Sequence, residues 1–205
     1  MTTPKIYAFI LLFFIVTFAN AQNEEIPLDI HVGFGIASGA DDFLGRGYTG
    51  YVGVEKSIYK NHYAIARYRN ASAYKDFYYA GNDRGYNLYS YSNSLDFEYN
   101  YRINIWRFQL VPTLGCALRY SKEKLRSSAG VSTDPNGVKS LESIRFREYN
   151  GLSVGYSFGL NLNLLVSKYT SIGARYTLQA FTNEHIYNML SFQIRNNFWK
   201  LDKKE

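Results

Sequence analysis

The sequence predicts an all-β fold, an eight-stranded antiparallel transmembrane up-and-down β-barrel, on three observations. An apolar leader ends in a small-residue motif, the segments after it alternate apolar and polar residues, and their connections alternate between short and long.

The leader comes first. Lys5 precedes an apolar run from Ile6 to Phe18, followed by Ala19-Asn20-Ala21 and then by polar Gln22-Asn23-Glu24-Glu25. A basic start, an apolar middle and an A-x-A site are the three parts of a secretory signal peptide. Residues 1–21 are therefore expected to be removed, leaving a mature chain that begins near Gln22. The apolar run is short for a membrane-spanning helix, and no cysteine follows it to carry a lipid anchor. The barrel is expected over residues 22–199, with a charged tail at 200–205.

Period-two alternation marks strands with two unlike faces. From Leu152 to Leu164, the residues Leu152, Val154, Tyr156, Phe158, Leu160, Leu162 and Leu164 share one face, and Ser153, Gly155, Ser157, Gly159, Asn161 and Asn163 share the other. The run meets the roughly 9–11 residues that a tilted membrane strand needs. Tyr89 to Tyr101 repeats the pattern, with Asn93 as its flaw: tyrosines at both ends flank Leu95 and Phe97, as in a lipid-facing strand between two aromatic girdles. Trp106 to Tyr120 is a third strand, in which Pro112 predicts a bulge because it has no N–H to donate. Weaker patterns at Leu28–Ser38, Tyr48–Ile58, His62–Tyr74, Thr170–Thr182 and Tyr187–Trp199 complete eight.

Short turns are expected around Tyr59-Lys60-Asn61, Arg102-Ile103-Asn104 and Ser167-Lys168-Tyr169, and long connections over Gly39–Gly47, Lys75–Asn87 and Ser121–Glu148. Bacterial barrels join short periplasmic turns with longer outer loops, so both termini are expected in the periplasm. The third long connection holds Asp134-Pro135-Asn136-Gly137, a tight-turn sequence. Its flanks could extend two strands above the membrane, or form a separate hairpin that raises the count to ten. His62-Tyr63-Ala64-Ile65-Ala66-Arg67-Tyr68 also reads like Thr170-Ser171-Ile172-Gly173-Ala174-Arg175-Tyr176, two equivalent strand positions after a short turn.

Composition bounds the function classes. The 205 residues make one domain, with 20 Tyr, 14 Phe and a hydrophobic content of 46%. The slightly negative mean hydropathy excludes a helical membrane bundle but not a barrel, where alternate residues face lipid. The lone Cys116 excludes an intramolecular disulfide. The net charge of +6 suits the anionic headgroups of outer-membrane lipid and lipopolysaccharide. With an export signal, no nucleic-acid partner is expected.

Alternation alone does not say which face is outside, since a lipocalin-like barrel alternates with its apolar face inward. The polar face favours the membrane version. It carries Gly33, Gly35, Gly53, Gly115, Gly155 and Gly159, small residues that suit a crowded lumen. It also carries Glu55, Arg67, Arg69, Asp96, Glu98, Arg107, Arg119, Arg175 and Arg195, charges of both signs that can pair across a narrow interior. His31 is expected to join them near Asp29.

The signal peptide, the eight alternating segments and the loop rhythm resemble the OmpX/OmpA-like outer-membrane β-barrels. The tyrosine-rich style is similar to the porin-family barrel domains common in Bacteroidetes. The resemblance covers nearly the whole mature chain as pattern and implies insertion by the barrel-assembly machinery. Such barrels usually end on an aromatic residue, whereas here Phe198-Trp199 precede Lys200-Leu201-Asp202-Lys203-Lys204-Glu205.

Candidate chemistry is sparse. Some outer-membrane barrels modify lipid A with a Ser/His/acid constellation. Here His185 stands beside Glu184, with Ser191 in the next strand. Neighbouring strand residues point to opposite faces, so the pattern is weak. His62 is expected at a periplasmic turn and Cys116 on the apolar face. No metal-ligand spacing and no cofactor motif appear. The Ser121–Glu148 connection is basic through Lys122, Lys124, Arg126, Lys139, Arg145 and Arg147, against Glu123, Asp134, Glu142 and Glu148. Loops on a rigid scaffold commonly carry binding, and an exposed strand edge there could pair with a protein partner. The expected function is a structural or surface-interaction barrel with a polar, plugged lumen. The competing readings are a lipid A or phospholipid-modifying enzyme and a small channel or secretion accessory.

Overall fold

The computed structural model describes residues 28–39, 46–79, 82–133, 136–137, 139–167, 169–182 and 186–197, with backbone only at 75–79, 82–87, 125–132 and 139–144. The expected leader, the charged tail, Glu184 and His185 lie outside the described residues. The strands are β1 (Leu28–Gly39), β2 (Arg46–Tyr59), β3 (His62–Tyr79), β4 (Asn82–Tyr101), β5 (Ile103–Ile105), β6 (Phe108–Thr133), β7 (Lys139–Leu165), β8 (Thr170–Phe181) and β9 (Ile186–Asn197).

All of them join one antiparallel sheet in the order β4-β3-β2-β1-β9-β8-β7-β6-β5, and a β4–β6 pairing closes it into a barrel. β5 is not a ninth wall strand. The pairs Asn100↔Thr113 and Ile103↔Leu110 lie in one register against β6, so β4 and β5 are one strand interrupted at Arg102. The wall is thus eight-stranded, and the ten-strand alternative falls because β6 and β7 go on pairing with each other as far as Thr133↔Lys139.

Pro112 produces no bulge. The β6–β7 register runs unbroken past Pro112↔Leu160. Leu165 N–H donates to the Arg107 carbonyl at 2.8 Å, which aims the odd-numbered backbone groups of this stretch of β6 at β7. The even-numbered groups, Pro112 among them, face β4 and β5. The missing N–H therefore falls on that side, opposite the interruption, where Tyr101 would be its partner.

The register also fixes the slant of the wall. Stepping sideways from Asp29 passes Glu55, Ile65, Glu98, Gly115, Ser157, Gln179 and Tyr187 and returns to β1 at Gly39. The circuit closes ten residues along β1 from its start. With strands ~4.8 Å apart and ~3.3 Å per residue, this stagger tilts them about 40° from the barrel axis. Such a barrel is narrow, and at Gly35 a Cβ would lie 2.0 Å from the Leu190 carbonyl oxygen and 2.4 Å from Ser191 Cα. Both are backbone atoms that cannot swing aside. Gly35→Ala is expected to cost about 1–3 kcal/mol through overpacking, read as a lower urea midpoint of the refolded barrel.

The two faces of the wall have opposite chemistry. Outside lie Val32 (55% exposed), Phe34 (64%), Leu152 (67%), Leu162 (53%) and Phe192 (56%), together with most of the large apolar residues. Inside lie Arg, Glu, Asp, Gln, Asn, Ser and Thr, almost all buried, with a small apolar cluster of Ala37, Ala71, Ala117, Phe181, Tyr187 and Met189. This is a soluble protein turned inside out, and a wall so apolar requires lipid around it. Asn93 on the outer wall is satisfied locally: its Oδ1 accepts from Tyr68 Oη at 2.8 Å and from Asn70 Nδ2 at 2.9 Å.

Two of the three long connections are strand pairs. β3 and β4 pair as far as Tyr79↔Asn82, and β6 and β7 as far as Thr133↔Lys139. Residues 40–45 of the first long connection lie outside the described residues. At the opposite end, Lys60 (φ 45°) turns β2 into β3, and Ser167 Oγ accepts from the N–H groups of Tyr169 and Thr170 at 3.2 and 3.0 Å. The remaining turn sits at Trp106 (φ 54°) and Arg107, later than the expected Arg102-Ile103-Asn104. Those residues interrupt and continue the strand instead.

Candidate functional site

Two features stand out: a charged interior and a long hairpin rising from one side of the rim. The interior is built by strand parity. On β4 and its continuation, Ser94, Asp96, Glu98, Asn100 and Arg102 all point inward and are buried. Adjacent strands β3 and β6 and the facing strands β8 and β9 supply the other cations.

Glu98 is the centre. Arg67 Nη1 donates to its Oε2 at 2.7 Å, Arg175 Nη2 lies 2.8 Å from both carboxylate oxygens, and Ser157 Oγ donates at 3.0 Å. Arg67 comes from the adjacent strand β3 and Arg175 from β8 across the lumen. Arg175 is fixed further by Thr177 (2.8 Å) and Asn161 (3.0 Å). One step toward the hairpin end, Asp96 accepts from Arg69 Nε at 2.9 Å, Ser94 Oγ at 2.7 Å and Gln179 Nε2 at 3.0 Å. The guanidinium groups of Arg67 and Arg69 lie 4.7 and 5.3 Å from the Tyr51 ring centre. The Tyr51 hydroxyl donates to Gln193 at 2.8 Å.

Toward the turn end, Arg102 bridges Asp29 (2.6 Å) and Glu55 and lies 3.6 Å from the Tyr63 ring centre. Asn100 donates to Glu55 at 2.7 Å, and His31 Nε2 is 3.5 Å from the same carboxylate. Arg195 donates to Gln109 at 2.6 Å and lies 3.9 Å from Asp29. Toward the hairpin end, Arg119 pairs with Glu123 at 3.1 Å and lies over Phe181 (4.1 Å) and Tyr187 (4.5 Å). Tyr187 donates to Glu123 at 2.6 Å.

The structure brings Glu55, Arg67, Arg69, Asp96, Glu98, Arg119, Arg175 and Arg195 into the lumen. It removes Arg107. That side chain is exposed on the turn, with its guanidinium 5.3 Å from the Trp106 ring centre. Strand parity would carry it inward, but the strand begins one residue later, at Phe108. Arg102, Asp29 and Glu123 join the network although the sequence does not assign them to it. Arg102 is within reach of sequence reasoning, since it continues the alternation of Asp96, Glu98 and Asn100. Glu123 reads as a loop residue in the sequence but lies inside, so it does not offset the exposed cations.

Of the basic residues expected on the outer loop, Lys122 and Lys124 lie on the outward face of β6, the first exposed and the second half-buried. Arg145 and Arg147 are exposed on β7. Arg126 and Lys139 lie on strands whose side chains there are outside the described residues. Ser191 is 3% exposed and faces the lumen, where its Oγ lies 3.4 Å from the Arg175 carbonyl. It is not presented to a lipid substrate. His62 stands at the turn end against Tyr99, Tyr101 and Tyr59, and Cys116 is half-buried on the outer wall.

The hairpin follows from unequal strand lengths. β6 and β7 have 26 and 27 residues, against 12 each in β1, β8 and β9. β4 leaves β6 at Tyr89↔Lys124, and β8 leaves β7 at Gly155↔Phe181, with one further bond from Thr182 N–H to the Val154 carbonyl at 2.9 Å. Beyond these points β6 and β7 pair only with each other among the described residues. Lys124 to Thr133 adds roughly 30 Å of strand at ~3.3 Å per residue. The Val154 carbonyl faces the β8 side, so the backbone groups of Asn150 and Glu148 face the same open edge, as do those of Leu152, whose carbonyl accepts from Tyr149 Oη at 3.0 Å.

No family model matches the sequence, and no curated protein matches it. Solved structures do match. The chain is similar to Neisserial surface protein A (NspA), with 14% identity and a TM-score of 0.52 over 85% of this chain and 98% of that one. It is similar to Ail, the attachment invasion locus protein of Yersinia pestis, with 13% identity and a TM-score of 0.51 over 85% and 100%. It is also similar to a major outer membrane protein of Thermus thermophilus, with 11% identity and a TM-score of 0.51 over 83% and 99%. What these likenesses show is the fold: the chain forms the closed eight-stranded antiparallel barrel of outer-membrane proteins.

Proposed function

We propose that the protein is an outer-membrane barrel that serves as a rigid mount for an interaction hairpin, exported by its leader over residues 1–21 and inserted by the barrel-assembly machinery. The carrying observation is the open edge of β7. From Lys139 to Val154 one side of this strand bonds β6; on the other, among the described residues, the Val154 carbonyl accepts from Thr182 N–H and the Leu152 carbonyl from Tyr149 Oη at 3.0 Å, and no further strand pairs with it. A row of unpaired backbone groups is a template for adding a strand.

The interior supports the same reading. Among the described residues, six buried arginines and five buried carboxylates, many tied across the lumen, occupy the space a pore would need. Such a network is costly to assemble and holds the wall in one arrangement. The hairpin therefore projects from a stiff base. With Glu123 turned inward, the sequence of the arm from Lys124 to Glu148 holds Lys124, Arg126, Lys139, Arg145 and Arg147 against Asp134, Glu142 and Glu148. An extended, acidic segment of a partner protein fits that edge.

The test is proline placed on the edge. Glu148→Pro and Asn150→Pro each remove an N–H that faces away from β6, leaving the β6–β7 ladder intact. Cells displaying these variants are expected to lose at least tenfold in partner or surface adhesion while the barrel still shows its gel shift on heating. Unchanged adhesion in both proline variants would remove strand addition as the mode. Unchanged adhesion after replacing 126–146 by a short turn would remove the hairpin altogether.

A further inference from the structure

A second surface lies just below the hairpin, on the outer wall. Outward residues along β6 run Phe108, Leu110, Pro112, Leu114, Cys116 and Leu118, then Tyr120, then Lys122 and Lys124. At ~3.3 Å per residue and a tilt of about 40°, Leu110 to Leu118 covers about 20 Å of the membrane normal, close to the ~25 Å apolar band of such barrels. Tyr120 then sits at the interface, and the two lysines stand at the depth of the headgroups.

The register places more of the same chemistry beside them. One outward row reads Arg46, Tyr74, Tyr89, Lys124 across β2, β3, β4 and β6, and the row beneath reads Tyr48, Ser72, Tyr91, Lys122. Arg46 and Lys122 are exposed, as are Tyr48 (63%), Tyr74 (49%), Tyr91 (56%) and Tyr120 (48%). Tyr89 and Tyr91 rings pack 5.5 Å apart, and Lys124 Nζ is 5.0 Å from the Phe146 ring centre. Three strand spacings separate Arg46 from Lys124, about 15 Å, while Lys122 and Lys124 are about 7 Å apart. Among the described side chains, the acid nearest this patch is Glu148, across from Lys124 on β7. The rest of the rim carries Asn150, Ala180, Ile186, Asn188 and Ser38, with no cation on its outward face among the described residues.

Cations that merely favoured an anionic membrane would suit any side of the rim. These three lie on one side of the rim, and tyrosines stand between Arg46 and the two lysines, offering hydroxyls to polar groups and ring faces to the C–H faces of a sugar. We propose that the Arg46–Lys122–Lys124 patch binds the phosphorylated sugar headgroup of an outer-leaflet glycolipid. The two lysines take phosphate, Arg46 takes a second anionic group, and Tyr74, Tyr89 and Tyr91 hold the sugar between them. This rests on the membrane reading above, with the hairpin end outward.

The test uses the full mature chain refolded into neutral phosphatidylcholine vesicles, with and without a few mole per cent of lipid A. The readout is the temperature at which half the protein loses its folded gel position. Lipid A is expected to raise that temperature. Lys122→Gln with Lys124→Gln is expected to remove more than half of the rise, while Lys60→Gln with Arg107→Gln, at the other end, leaves it intact. Phosphatidylglycerol at equal charge and dephosphorylated lipid A are expected to give little, and a soluble sugar phosphate none. An equal rise with phosphatidylglycerol, a rise from the soluble sugar phosphate alone, or a full rise in the double lysine variant would overturn the site. A chain that shows no folded gel position in any vesicle would instead overturn the membrane reading, so the two failures are separable.

Discussion

Glu98→Ala destabilises the folded barrel by about 3–5 kcal/mol, the range for breaking a buried ion pair from one side. Glu98 is 3% exposed and receives Arg67 at 2.7 Å and Arg175 at 2.8 Å. Removing it leaves two guanidinium groups facing each other in a dry interior. The cost arises mainly from the stranded cations, so a second change should relieve it. Glu98→Leu combined with Arg175→Met removes one of those cations and fills the volume with apolar atoms. The double variant is expected to recover at least half of the loss. Urea unfolding in vesicles, followed by tryptophan emission or by the gel shift, measures both. If Glu98→Ala falls within about 1 kcal/mol of the parent, the lumen is wet enough to solvate the arginines, and the rigid-mount reading weakens with it.

The second large effect lies on the opposite face of the wall. Phe158 is 49% exposed on β7 and pairs with Leu114 near the middle of the apolar band. Phe158→Arg is expected to cost about 2–4 kcal/mol, the value for a basic residue at mid-depth on a lipid-facing strand. Phe158→Leu is expected to cost about 1 kcal/mol or less, since the chain there packs against lipid and not against a shaped core. The pair separates the two orientations of an alternating barrel. On a water-facing wall, arginine at this position would be neutral or would improve solubility. Near-zero cost for Phe158→Arg in vesicles would mean that this face does not meet hydrocarbon.

The strands were legible where lipid acts on them. From Leu152 to Leu164 one face must be apolar and the other polar, and that requirement is written into every second residue. Above the membrane neither face meets lipid, and the alternation fades. The segment Ser121–Glu148 accordingly reads as a tight turn whose flanks either extend two strands or form a separate hairpin, and the register decides for extension of β6 and β7, to Thr133 and Lys139. The same limit explains Arg107. Its odd number fits the inward face of β6, but the chain is already turning there, with Trp106 at φ 54°. Turn position is a backbone property that parity does not carry.

The repeat of His62–Tyr68 in Thr170–Tyr176 shows where sequence stops and structure begins. The match aligns Arg67 with Arg175 and marks two equivalent positions at the start of a strand. That both arginines converge on Glu98 depends on the width of the lumen and on the ten-residue stagger of the closed wall. By itself the sequence determined the fold class, a count of eight strands with ten left open, which face of each meets lipid, and the charged character of the interior. These follow from hydrophobic periodicity, which acts residue by residue along the chain. Tertiary structure alone decided that the hairpin adds no strand to the wall, which charges pair, that Glu123 belongs inside, which strand of the hairpin presents an open edge, and that three cations share one side of the rim. These depend on register and closure, set by strands far apart in the chain, and no local pattern encodes them.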